Sequence, residues 1–132
     1  MNPDPEAGGG FWRSRVGSVQ FAVRGIAELL RSHSNARIHL GATIAVIATS
    51  FLLRISAGEW AALILATGLV WTAEALNTAV ELLADRITPA RDEQIRRAKD
   101  VAAGAVLLAS IAAAITGVLI LGPHLWTRLR AG

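Results

Sequence analysis

The sequence contains no cysteine, and aromatic residues make up only 5% of it. Without cysteine there are no disulfides and no thiolate metal sites. A phosphate loop is missing too, because the run Gly8-Gly9-Gly10 is not followed by a Lys-Ser/Thr pair. The opening MNPDPEAGGG is acidic, rich in Pro and Gly, and has no apolar centre. It therefore does not read as a signal peptide, and residues 1–10 are expected to form a disordered tail. Charge is absent over long stretches. Val101 to Leu121 is twenty-one residues without one, enough helix to cross a bilayer core of about 30 Å.

What is present is mostly apolar. The 132 residues suit one domain, 53% of them are hydrophobic, and the mean hydropathy is +0.46. Either a very apolar soluble bundle or a small polytopic membrane protein has this composition, and the segment lengths favour the second. Phe11 to Ser34 reads as an amphipathic helix with Trp12, Val16, Val19, Val23, Ile26 and Leu30 on one seam. Arg13, Arg15, Arg24, Arg31 and Arg37 make this region basic, against only Glu28. Such a helix suits the surface of an anionic leaflet.

A turn is expected at Ser32-His33-Ser34-Asn35. A first span follows over about 38–55, in which His39 and Arg54 can snorkel to opposite interfaces. Ser56-Ala57-Gly58 is a tight connection to a second span over about 59–86. Thr88-Pro89 reads as an N-cap with proline at the first helical position, opening a third span over about 89–122 whose first part is charged. Ala105, Ala109, Ala113 and Gly117 form a small-residue stripe that would let helices approach closely. Pro123 should end that helix, with Trp126 as an interfacial anchor and 127–132 as a short tail. Ten of the thirteen basic residues fall on one side of a three-span arrangement, which the positive-inside rule places in the cytoplasm.

The chain is organised around WTAEALNTAVELLAD, residues 71–85. Each helical residue turns by roughly 100°, so Glu74, Asn77, Glu81 and Asp85 share one face. A carboxylate facing hydrocarbon costs at least ~2.5 kcal/mol, so this stripe must face protein, water, a metal or a substrate. Trp60 to Ala73 is about 21 Å of uncharged helix, which sets Glu74 at the cytoplasmic boundary. Near the same interface fall Arg96, Lys99 and Asp100 of the third helix, and His33, Asn35 and Arg37 before the first span. Carboxylates with an amide oxygen suit Mg²⁺, and Lys and Arg suit phosphate. These are the parts of phosphoryl transfer. The same residues are equally compatible with a buried ion-pair network that holds helices together, with Glu74 and Glu81 neutralised by arginines. They also fit a cation-coupled transporter, which with three spans would need an oligomer.

The run Glu74-Ala75-Leu76-Asn77-Thr78-Ala79-Val80-Glu81, then Asp85, then Arg97-Ala98-Lys99-Asp100, resembles the signature of the small bacterial membrane lipid kinases. These are the prokaryotic diacylglycerol kinases and the related undecaprenol kinases. Asn35-Ala36-Arg37-Ile38-His39 is similar to the undecaprenol-kinase branch. The resemblance implies an all-α membrane protein, a surface helix plus three spans, assembled as a homotrimer in the bacterial inner membrane. It implies transfer of the γ-phosphate of ATP to a lipid hydroxyl at the cytoplasmic face, with Mg²⁺ and with no nucleic-acid partner. By the same resemblance Glu74 is the general base on the lipid side and Glu81 binds the metal. Asn77, Asp85, Lys99 and Asp100 hold nucleotide or metal, or order the groups that do, and Arg13 or Arg15 contacts ATP.

The departures from that pattern are specific. The family's second metal-binding glutamate is replaced by His33, a poorer Mg²⁺ ligand. A serine that contacts substrate in the diacylglycerol branch is replaced by Ala103, and a nucleotide-contacting Glu and His by Ala90 and Asp92. A non-catalytic relative that packs helices or binds lipid is the alternative these departures support.

Overall fold

The structure, a computed structural model, describes residues 7–32, 34–87 and 92–131, with side chains over 17–31, 35–87 and 92–131. Helix α1 spans Ala7–Ser32, α2 Ser34–Leu53, α3 Ala57–Ile87 and α4 Glu93–Ala131, and no strand occurs among the described residues. Three of the four, α2, α3 and α4, are long and apolar enough to cross a membrane. The fold is thus the all-helical one expected, a leading helix followed by three candidate spans.

Burial is inverted relative to a soluble bundle. The largest fully buried side chains are Glu74 and Ser50, both polar, whereas Leu108 is 71% exposed and Leu65 and Val118 are similarly open. Water would penalise that surface heavily, and hydrocarbon does not. The hydroxyl of Ser50 is satisfied locally, its Oγ donating to the Val46 carbonyl at 2.8 Å. On α1, Val19, Val23 and Ile26 of the expected seam are likewise exposed, while Leu29 is buried. That seam is free to meet lipid, and the helix touches the rest of the chain through its last turns.

At the end of the bundle away from α1, a small apolar core gathers Ile55, Leu63 and Leu121, with Trp60 packed against it. The connection from α2 to α3 is tight for two reasons. Arg54 takes a left-handed conformation, φ 53°, which lets the Arg54 and Ile55 amides bond back to Phe51 and Ser50. Ser56 and Glu59 then form a capping box. Ser56 N and Oγ donate to Glu59 Oε2, each at 2.7 Å, and Glu59 N donates to Ser56 Oγ at 3.4 Å.

Pro123 does not end the last helix, contrary to expectation; α4 runs through it to Ala131. The ring removes one backbone donor and crowds the preceding turn, which normally breaks a helix. Here the segment beyond it is held from outside. His124 Nε2 lies 2.9 Å from Glu59 Oε1, and Arg128 Nη1 donates to the Leu52 carbonyl at 2.8 Å. Thr127 Oγ1 donates to the Pro123 and His124 carbonyls and so adds side-chain bonds to the turn that follows the proline.

Other boundaries differ by a few residues. Helix α1 starts at Ala7 rather than Phe11, α2 starts at Ser34 inside the expected turn, and α4 starts at Glu93. The expected cap at Thr88-Pro89 lies outside the described residues. The cap that α4 uses is Asp92, whose Oδ1 accepts from the Gln94 and Ile95 amides at 2.7 and 3.1 Å. The small-residue stripe is divided, with Ala105 and Ala109 facing α3 in the most closely packed helix pair. Of its four members only Ala109 is buried, and a Cβ added at Gly117 would meet nothing within 4 Å. Gly117 and Ala113 instead border an apolar cavity of about 530 Å³ between α2, α3 and α4.

Candidate functional site

The polar stripe of α3 points inward, as the helical spacing requires. Glu74 is 1% exposed and Asn77 is buried, Glu81 is half-buried, and Asp85 is exposed. Burial thus fades along the stripe toward the end where α3 leaves the bundle for α4. Helix α4 packs along α3 and α2 closes the remaining side. The three helices enclose a cleft of about 310 Å³. Glu74, Asn77 and Glu81 line it from α3, Asn35, Ile38 and His39 from α2, and Ala103, Val106, Leu107 and Ser110 from α4.

Glu81 and Asn77 are coupled. Asn77 Nδ2 donates to Glu81 Oε1 at 3.1 Å, one helical turn apart, which holds the carboxylate against the cleft wall. The other end of that amide, Oδ1, is buried and accepts nothing among the described residues. A buried acceptor left alone costs about 1–3 kcal/mol, so a water or ligand group that donates to it is favoured there. Mg²⁺ sites are built from one or two carboxylates and keep several waters. The half-buried Glu81 carboxylate beside an acceptor for a metal-bound water fits such an open site. Among the described residues there is no cluster of three His, Cys, Asp or Glu, so a closed cage of protein ligands is not what this cleft offers.

Glu74 lies deeper. Its Oε2 has no hydrogen-bond partner among the described residues, and the His39 ring faces it from α2, with Nε2 at 3.9 Å from Oε2. No arginine pairs with it among the described residues, which supply no ion-pair network around this carboxylate. His39 itself is held. Its ring meets Trp71 edge-on at 6.5 Å between centroids. Trp71 Nε1 donates to Thr43 Oγ1 at 3.0 Å, and Thr43 Oγ1 donates to the His39 carbonyl at 2.7 Å.

The cationic groups sit outside the cleft. Lys99 Nζ pairs with Asp85 Oδ1 at 3.1 Å, bridging α4 and α3 next to the cleft mouth. Arg96 pairs with Glu93 and Asp100, each at 2.7 Å, and Arg97 with Glu93 at 3.2 Å, all in the open. Solvent screens exposed pairs of this kind, so they leave Lys99, Arg96 and Asp100 able to exchange partners for a phosphate at little cost.

Of the residues singled out from the sequence, Glu74, Asn77, Glu81 and Ala103 therefore share one cleft. Asp85 and Lys99 are paired beside it, and Asp100 is engaged by Arg96. His33 lies outside the described residues, as do the side chains of Arg13 and Arg15. Two cleft residues went unmarked as site residues: His39, read as an interfacial anchor, and Ser110, whose Oγ is buried without a partner among the described residues. For His39 a signal existed, since it is the one ionisable residue between Arg37 and Arg54 of the first span. Ser110 follows Ala103 by seven residues, two helical turns, and so returns to the same face of α4.

Comparison with known proteins points in one direction. The family described as prokaryotic diacylglycerol kinase matches residues 20–121. The chain is 39% identical over 108 residues to the undecaprenol kinase of Bacillus subtilis, covering 82% of this chain and 88% of that protein. It is 41% identical over 109 residues to a diacylglycerol kinase of Synechocystis sp., covering 82% of this chain and 62% of that longer protein. With a diacylglycerol kinase of Pseudomonas aeruginosa it shares 27% identity over 121 residues, 92% of this chain and 98% of that one.

Proposed function

The chain belongs to the prokaryotic diacylglycerol kinase family, and we propose that it transfers the γ-phosphoryl group of ATP to the hydroxyl of a membrane lipid, diacylglycerol or undecaprenol, at the cytoplasmic face. The observation that carries this reading is the single cleft that holds a deeply buried carboxylate, Glu74, and a second, better exposed one, Glu81, two turns further along the same helix. A lipid hydroxyl reaches the site from the bilayer and a nucleotide from water. One acid for each side, graded in depth, meets both needs.

Glu74 takes the hydroxyl proton. Its depth in the cleft suits a hydroxyl that arrives from the bilayer side. Glu81 would hold Mg²⁺, with Asn77 fixing its carboxylate through the 3.1 Å hydrogen bond and offering Oδ1 to a coordinated water. A metal held there would supply neutralisation of the charge that builds on the transferred group. His33, at the place of the family's second metal-binding glutamate, completes that shell in our reading. Lys99 turns from Asp85 toward the phosphates, which leaves Asp85 to hold nucleotide or metal, and Asp100 orders Arg96. Arg15 reaches the nucleotide from α1. Ala103, on the cleft wall opposite Glu74, gives the lipid a smooth surface where the diacylglycerol branch offers a hydroxyl.

The distribution of Arg and Lys along the sequence supports reading this end of the bundle as the cytoplasmic one, where ATP is. The assembly is read as a homotrimer in the bacterial inner membrane, and the outward-facing cavity beside Gly117 and the exposed faces of α2 and α4 leave room for neighbouring copies. The test is direct: purified protein in bilayer discs, Mg·ATP, and a panel containing diacylglycerol, undecaprenol and a simple long-chain alcohol. Phosphorylated lipid is expected from at least one of the first two. ATP left intact with every lipid would point to the non-catalytic alternative.

A further inference from the structure

A base buried as deeply as Glu74 must also dispose of the proton it takes. The residue is 1% exposed and its Oε2 has no hydrogen-bond partner among the described residues. A proton left on it would neutralise the group and stop the next turnover until it escaped. One imidazole stands at that atom, His39 Nε2, 3.9 Å away on the facing helix. An interfacial histidine that merely snorkels would point outward, yet this ring is turned in. Trp71 packs on it edge-on, and the Trp71–Thr43–His39 chain of hydrogen bonds ties that indole to the histidine's own backbone. His39 also lines the cleft that runs on to Glu81, and its side chain keeps 18% exposure where Glu74 keeps 2%. Among the described residues, the titratable groups that line this cleft are Glu74 and Glu81 from α3 and His39 from α2. Helix α4 faces it with Ala103, Val106, Leu107 and Ser110, none of which titrates.

We propose that His39 is a positioning residue for Glu74 that also accepts its proton, a proposal that rests on the lipid-kinase reading with Glu74 as base. The steps balance without oxidant or reductant. The lipid O–H bond breaks as its oxygen bonds the γ-phosphorus, and the bond from that phosphorus to the β-phosphate oxygen breaks with its electron pair staying on ADP. The proton goes to Glu74 Oε2. The lone pair of His39 Nε2 then takes it, restoring the carboxylate and leaving an imidazolium, which releases it to water in the cleft. The separation of 3.9 Å is that of an ion pair. It closes to a hydrogen bond with substrate in place, as catalytic contacts that are long in empty sites do.

The test uses the full-length protein in bilayer discs as wild type, His39→Ala, His39→Gln and Glu74→Gln, with thermal unfolding recorded for each. His39→Ala is expected to lower kcat by about ten- to a hundredfold, the size seen when the outer partner of a functional group is removed, with KM for ATP and for lipid unchanged. Added imidazole should restore part of that turnover, while pyrazole, of similar shape but barely basic, should restore none. His39→Gln keeps the bulk but cannot take a proton, so it should be as slow as His39→Ala and serves if the alanine variant does not fold. Unchanged kcat in His39→Ala, full activity in His39→Gln, or a folded His39→Ala that imidazole does not rescue would each overturn the proposal. Wild-type lipid phosphorylation that Glu74→Gln abolishes keeps the underlying reading intact in those cases. A wild type that makes no phospholipid defeats both.

Discussion

Replacing Glu74 by glutamine separates a catalytic acid from a structural one. The side chain keeps its size and loses its charge. General-base catalysis contributes about 10²–10⁴ in rate, so kcat should fall at least a hundredfold, or about 2.7 kcal/mol of transition-state stabilisation. The structure also sets the sign of the stability change. Glu74 is 1% exposed, its Oε2 lacks a hydrogen bond among the described residues, and its only ion-pair contact there is the imidazole at 3.9 Å. Breaking a well-made buried ion pair costs about 3–5 kcal/mol, whereas removing a poorly compensated buried charge costs little or stabilises. Glu74→Gln should therefore unfold at the same temperature as wild type or higher, while ATP affinity stays intact. The assay is kcat, KM for ATP and thermal unfolding on one purified preparation. A variant that turns over normally, or that is destabilised by several kcal/mol, would refute the reasoning and return Glu74 to the role of a helix tie. Lost ATP binding with turnover preserved at saturating ATP would move it to the nucleotide side.

Three further outcomes are expected. Glu81→Ala should insert and fold, because Glu81 is only half-buried, yet lose activity that raised Mg²⁺ recovers poorly; near-normal turnover at limiting Mg²⁺ would remove its metal role. His33→Glu should lower the Mg²⁺ concentration needed for half-maximal rate, since an anionic oxygen is the harder ligand, and an unchanged or weaker requirement would place His33 outside the metal shell. Gly117→Ala should raise the unfolding temperature through a gain of up to about 1 kcal/mol in helix propensity, because an added Cβ there meets nothing within the chain; a lower one, or loss of the oligomer, would mean that a neighbouring copy packs on Gly117.

The spacing of three, four and four along residues 74–85 was enough to place Glu74, Asn77, Glu81 and Asp85 on one face, because a helix period needs no tertiary information. The three spans were legible for a similar reason: length and hydropathy decide membrane crossing. The gradient of burial along the stripe was harder to read, since it depends on how closely α2 and α4 approach at each level. His39 was read as a snorkelling residue because its sequence neighbourhood puts it at an interface. Only the approach of α2 to α3 turns it toward Glu74. Pro123 misled for the opposite reason. Its local effect on the backbone is strong, but His124 and Arg128 reach across 65 and 76 residues of sequence to hold the helix beyond it. The stripe of alanines and Gly117 has the spacing of a helix contact, yet Ala113 and Gly117 border a cavity, since small residues permit close approach without compelling it.

The central claim is that this cleft carries γ-phosphoryl from ATP to a lipid hydroxyl. The most direct measurement follows the label of γ-labelled ATP through a single turnover in bilayer discs containing diacylglycerol or undecaprenol, with separated lipid, protein and aqueous fractions. The account predicts label on the lipid in step with ADP formation, no labelled protein at any time, and no labelled lipid from Glu74→Gln. Label appearing only as free phosphate, or accumulating on the protein, would contradict it.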